Sequence, residues 1–231
     1  VYAYNKKRKV KDILLYEVAK TYDKSYNEES KIAGLLAGNY ISNGWDFSKK
    51  VDFYVVKGIV EDLLDYMGFK NRYSFVKEKV DDLHPGISAK ILLDRKEIGV
   101  IGRVHPKVLK DEVYVFELSL QALMSNIKPL KYKEALKYPG IEKDMAFILD
   151  KDIMADSVTS TIRHAGGRLL SDIKVFDVYT GENVGKDEKS IAFSCMFEDK
   201  SRTLTDEEVM TVFNNIIEKV ENTHNAKLRD K

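Results

Sequence analysis

The chain is predicted to be α+β in two units, an antiparallel sheet with one long helix over residues 1–130 and a β-α-β-β-α-β unit over 131–231. Three observations carry this prediction. Asp144 to Leu149 and Ser190 to Phe197 alternate apolar and small or polar residues with the period of a half-buried strand. Thr205 stands three residues before Glu208, a capping box, and Val209, Phe213, Ile216, Ile217 and Val220 follow at helical spacing. Ser88 to Leu93, Glu97 to Arg103 and Val113 to Leu118 succeed one another as short strands with turn signals between them.

In chain order, Val1 to Tyr4 reads as strand-like and runs into the basic cluster Lys6-Lys7-Arg8-Lys9. Lys11 to Val18 reads as a strand, and Ile32 to Ile41 as a strand interrupted by Gly34 and Gly38. Phe53 to Met67 has the apolar stripe of an amphipathic helix and meets a stop at Gly68. The three later strands are joined by Asp94-Arg95-Lys96 and by a loop near His105-Pro106. His84-Pro85 and His105-Pro106 read as strand-entry corners, because a residue before proline favours extended or turn geometry. A linker over Ser125 to Tyr138, containing Pro129, places the boundary near residue 130.

In the second unit, Met145, Phe147 and Leu149 take the core side of one strand, and Ile191, Phe193, Cys195 and Phe197 that of another. In the strand through Phe176, the core side is assigned to Phe176 and Val178, so Asp177 and Tyr179 fall on the open side. Val158, Ile162 and Ala165 mark a first helix, with Gly166-Gly167 as its stop. Two helices on one face leave the other sheet face free.

Composition sets loose limits. With 231 residues, 44% of them hydrophobic, and a net charge of +1, the chain has the make-up of an ordinary folded protein. No apolar run approaches a membrane span, and there is no leader pattern. The single Cys195 excludes an internal disulfide and points to a reduced, cytoplasmic setting, as a buried small hydrophobe in place of a nucleophile. The absence of an initiator methionine suggests a piece of a longer chain. Four scattered histidines give no metal-ligand spacing, and no Walker or dinucleotide glycine motif is present.

The open face of the second unit has the chemistry of a single-stranded RNA platform. Tyr179 offers a ring for stacking, Ala146 and Ser190 let a base approach closely, and the Asp177 carboxylate accepts from base amino or imino groups. From Tyr132 onward, however, 15 Lys and Arg face 19 Asp and Glu. Phosphate attraction alone cannot carry binding by a net acidic unit. Base contacts, local cations (Lys143, Lys174, Lys189 and Arg202) and other parts of a larger complex must do so.

The sequence resembles a known family in both halves. Tyr138-Pro139-Gly140, Lys143-Asp144-Met145-Ala146, Phe176-Asp177-Val178-Tyr179-Thr180-Gly181, Lys189-Ser190-Ile191-Ala192, Arg202-Thr203-Leu204-Thr205 and Ala226-Lys227-Leu228-Arg229 look like the ferredoxin-fold anticodon-binding domain of the bacterial phenylalanyl-tRNA synthetase β subunit. Leu15-Tyr16-Glu17-Val18, Gly34-Leu35-Leu36-Ala37-Gly38, Trp45, Val51-Asp52-Phe53-Tyr54, Leu83-His84-Pro85-Gly86 and Ile101-Gly102-Arg103-Val104-His105-Pro106 look like the class II synthetase-like domain of the same subunit. The sequence departs from that pattern at Ile87, where arginine is common, and at Arg103, where glutamate is common.

The resemblance implies a class II synthetase-like antiparallel sheet domain followed by a ferredoxin-like domain. It matches Ala146, Asp177, Tyr179 and Ser190 to anticodon-contacting positions. It further implies phenylalanine tRNA and a synthetase α subunit as partners in an α2β2 assembly. ATP and Mg2+ would serve the parent enzyme, and the fragment itself would hold no catalytic residue, metal or cofactor. Two other readings stay open: a protein-interaction scaffold that does not touch RNA, and a retained class II ligase using Arg103.

Overall fold

A computed structural model describes residues 1–41, 48–128, 137–181 and 184–229. The chain divides into units at Val1–Lys131 and Tyr132–Lys231. Trp45 and the expected boundary near 130 lie outside the described residues.

The first unit is built on a six-stranded sheet in the order β1-β2-β8-β7-β6-β5, with every neighbouring pair antiparallel. Its strands are β1 (Ile13–Tyr22), β2 (Glu28–Ala37), β5 (Tyr73–Lys77), β6 (Leu83–Leu93), β7 (Lys96–Val104) and β8 (Val113–Ser119). A small pair, β3 (Asn39–Ile41) with β4 (Lys49–Lys50), branches off where Gly38, at φ +85°, ends β2. Gly34 does not interrupt its strand as expected. The Phe116 ring lies against it, and a Cβ there would stand 2.2 Å from Phe116 Cε1.

Helix α2 (Phe53–Tyr66) starts at Asp52, whose carboxylate accepts from Val55 N at 2.7 Å, and Gly68 follows at φ +83°. It buries Val56, Val60 and Leu64 against Ile91, Leu93, Ile101, Phe116 and Leu118. A second helix, α3 (Leu120–Asn126), is capped by Ser119 and adds Leu123 to the same core. Periodicity left α3 and β5 unread, since each is a short element in a polar context.

Val1 to Tyr4 is not a strand. Residues Tyr2–Lys7 form α1, and Tyr2 and Lys6, four apart and therefore on one helix face, both bond Asp111. Four residues are too few to separate the two periods. His84-Pro85 is likewise not an entry turn, for it lies within β6 at a register shift between Leu83 and Ser88. The β6–β7 connection is a tight turn in which Asp94 (φ 48°) and Arg95 (φ 68°) both take left-handed geometry.

The second unit is a ferredoxin-like β-α-β-β-α-β fold. It contains β9 (Ile141–Asp150), α4 (Ala155–Gly166), β10 (Leu170–Tyr179), β11 (Glu188–Phe197), α5 (Asp206–His224) and β12 (Lys227–Leu228), with sheet order β10-β11-β9-β12. Met145, Phe147, Leu149, Ile191, Phe193, Cys195 and Phe197 meet Val158, Ile162, Val209, Ile216 and Val220 of the two helices in one buried cluster. The capping box is formed: Glu208 N donates to Thr205 Oγ1 at 3.3 Å and Thr205 N to Glu208 Oε2 at 3.1 Å.

One assignment is corrected. Phe176 and Val178 are not in the core, being 52% and 54% exposed. β10 is an edge strand with a bulge between Val175 and Asp177, and Phe176 is the extra residue. Val178 does face the helix side, opposite Ile191, but no residue of α4 or α5 buries it there.

Two outcomes are expected. Gly34→Ala should destabilise the first unit by about 1–3 kcal/mol in chemical denaturation, through overpacking against Phe116, and Phe116→Leu should restore part of the loss. Glu208 is held down to about 2 by the Arg202 guanidinium and then by the Thr205 amide. A carboxyl depressed in the fold stabilises above its ordinary value of 4.5, and that contribution is lost as pH falls through about 2. Glu208→Gln should therefore flatten the acid limb of the stability–pH curve in that window, an effect kept small by the exposure of the pair.

Candidate nucleic-acid interface

The period of two sorts the residues of β9, β10 and β11 onto two faces, and the helices cover only one. On the other face, register places Asp177, Ala192 and Ala146 in one row across three strands, and Tyr179, Ser190, Ile148 and Lys227 in the next. Ala146, Asp177, Tyr179 and Ser190 thus come together on the helix-free face. Lys174 lies on the same face, in the row of Ser194 and Asp144.

Three expected cations lie elsewhere. Lys143 is on the helix side, opposite Cys195, and approaches Asp206 at 3.8 Å. Lys189 is also on the helix side and donates to Lys151 O at 2.8 Å, with burial pulling its ammonium below the ordinary range. Arg202 is bound through both Nη atoms to Glu208 and belongs to the α5 cap. Strand parity separates Lys143 and Lys189 from the open face, although both flank it in sequence.

Arg229 closes one of the motifs that carry the resemblance, yet the sequence reading gave it no part in the site. Its backbone N donates to Ala146 O at 2.8 Å, which extends the β9–β12 pairing by one residue. The side chain then crosses the open face. Its guanidinium carbon lies 5.5 Å from the Tyr179 ring centroid, a cation–π contact, and Nη1 is 3.5 Å from Ser190 Oγ. Ser190 is consequently only 3% exposed. The available signal was the pairing of Arg229's segment with β9, and a two-residue strand is too short to be read from periodicity.

The face therefore presents one half-exposed aromatic ring, a guanidinium with in-plane donors, a carboxylate and two alanines. Stacking and hydrogen bonding to an unpaired base are what this set can do. On the helix side of the same sheet, Cys195 is fully buried, and burial pushes its thiol up to about 12. Among the described residues, no group of three or more His, Cys, Asp or Glu side chains is placed to hold a metal ion. No helix among them is long and apolar enough to cross a membrane.

In the first unit, Arg103 sits on the helix-covered side, opposite Tyr114, with Nη1 3.6 Å from Glu112 and Nε buried without a partner. The neighbouring glycines have packing roles. A Cβ at Gly99 would lie 2.0 Å from Glu117 O, and one at Gly102 2.6 Å from Ile87 O. The Arg103 guanidinium is thus turned to Glu112 on the helix-covered side of the sheet.

These two folds, an antiparallel sheet with helices on one face and a ferredoxin-like unit with an aromatic-bearing open face, are those of a portion of an aminoacyl-tRNA synthetase. Residues 1–120 match the family model of the phenylalanyl tRNA synthetase beta chain CLM domain, and residues 137–229 that of the ferredoxin-fold anticodon binding domain. The chain belongs to the phenylalanyl-tRNA synthetase beta chain family. It is 40% identical to the phenylalanine–tRNA ligase beta subunit of Bacillus subtilis, 36% to that of Listeria monocytogenes and 37% to that of Geobacillus kaustophilus, in each case over 98% of this chain. It spans 30% of the length of those relatives.

Burial of Cys195 gives a direct check on the core under this face. In the native state the thiol should resist a disulfide reagent such as DTNB at pH 8, and it should react stoichiometrically once denaturant unfolds the second unit.

Proposed function

We propose that the second unit reads the anticodon of phenylalanine tRNA on its helix-free sheet face, as part of a phenylalanine–tRNA ligase. The gathering of Ala146, Asp177, Tyr179 and Ser190 in two adjacent rows, with Arg229 laid over them, carries this reading. Tyr179 supplies a stacking surface for one base. Asp177 accepts from a base amino or imino group, and Arg229 donates to base oxygens or ring nitrogens. The alanines keep the floor low. Lys174 and Lys227 are the lysines of this face that meet phosphates, few enough that affinity rests mainly on the bases and its salt dependence is shallow.

The first unit acts as a scaffold for the synthetase α subunit in an α2β2 assembly. Leu14, Tyr16 and Val18 of β1 lie opposite Leu36, Gly34 and Ile32, on the side that α2 and α3 cover further along the sheet, yet Tyr16 is 81% exposed. An apolar row of this kind at a sheet edge suits a partner subunit. The aminoacylation chemistry, with its ATP and Mg2+, then belongs to the α subunit, and the setting is cytoplasmic.

The test is titration of the chain with the anticodon stem-loop of phenylalanine tRNA and with a scrambled-loop control, at low and physiological salt. The expected result is preference for the cognate loop, with Tyr179→Ala weakening it by about 1–3 kcal/mol, a factor of roughly 5 to 150. Equal binding of both loops would favour a protein-interaction scaffold.

A further inference from the structure

We propose that Gly181 is a positioning residue for the Tyr179 ring, so that the stacking platform is set by a missing side chain two positions along the chain. The inference rests on the reading of the helix-free face as an RNA platform. Gly181 follows the end of β10, and its carbonyl accepts from Val184 N at 3.1 Å. A Cβ added at Gly181 would lie 2.3 Å from the Tyr179 phenol oxygen, 2.4 Å from Cζ and 3.0 Å from Cε1. Carbon and oxygen atoms do not approach so closely without bonding, so one partner must yield.

The partner that yields is the ring. Gly181 is not among the glycines at positive φ, so alanine fits its backbone without strain. The atoms in the way form the far end of a side chain that pivots about its χ angles. Tyr179, once swung away, gives up its place beside Arg229, whose guanidinium carbon now sits 5.5 Å from the ring centroid. Arg229 starts from a backbone held to Ala146 O at 2.8 Å, with Nη1 3.5 Å from Ser190 Oγ, so a displaced ring loses its contact with the guanidinium. Gly181 thus sets the ring against the phenol end while Arg229 holds its face, and together they present the ring to a base in one orientation. Preorganisation of this kind saves the ordering cost that a freely swinging aromatic would incur on binding.

A double-mutant cycle tests the assignment, using the whole chain and the anticodon stem-loop of phenylalanine tRNA as probe. Gly181→Ala is expected to raise Kd about tenfold, with the thermal unfolding midpoint unchanged. The same substitution in a Tyr179→Ala background is expected to cost nothing further, since no ring remains to be displaced. Aromatic NMR should show the Tyr179 ring losing its contacts with Arg229 in Gly181→Ala. An equal loss in both backgrounds would mean that the turn itself matters, and the inference falls while the RNA reading stands. The inference also falls if Gly181→Ala is silent while Tyr179→Ala weakens binding. If the wild-type chain does not bind the cognate loop, or Tyr179→Ala is silent, the RNA reading itself fails and the inference falls with it.

Discussion

The register between β9 and β11 is the constraint on which the second unit depends. Phe147 lies opposite Ile191 and Met145 opposite Phe193 on the helix side, while Ala146 lies opposite Ala192 and Ile148 opposite Ser190 on the other. A slip of one residue would carry Phe147 or Ile191 into water and Ala146 or Ser190 under the helices. The hydrophobic drive that buries the phenylalanines therefore also fixes the positions of the small and polar residues. The cost of misregister is borne by the core, and the open face gains its order from it.

The two units use one design with different outer chemistry. Each lays helices on a single face of an antiparallel sheet. In the first, the uncovered side carries ion pairs, Lys31 with Glu117 and Glu29, and Lys90 with Glu78 and Glu97. Each lysine is shared between two carboxylates, so the cations on this side are already engaged within the fold. In the second, the corresponding side is kept low by alanines and serine, with a ring and a guanidinium rising from it. The two units also match two separate family models, over residues 1–120 and 137–229.

What could be read in advance follows from how locally each feature is encoded. Central strands announce themselves because both of their faces are constrained, and β9 and β11 were legible for that reason. The α5 start was legible because Thr205 and Glu208 satisfy each other within one turn. Phe176 was misassigned because alternation specifies a side of the sheet but says nothing about whether a helix covers it, and because a bulge adds a residue that parity cannot place. Arg229 was missed for a different reason. Its importance comes from lying beside Ala146, a relation between residues more than eighty positions apart that no local pattern records.

That separation has a consequence for biosynthesis. β12 pairs with β9, the first strand of its unit, only after α4, β10, β11 and α5 have been made, so Arg229 is among the last residues to reach the face it completes. A ribosome-bound chain that stops short of α5 holds Tyr179 without its guanidinium partner and leaves an edge of β9 unpaired. Incomplete chains thus lack the finished surface.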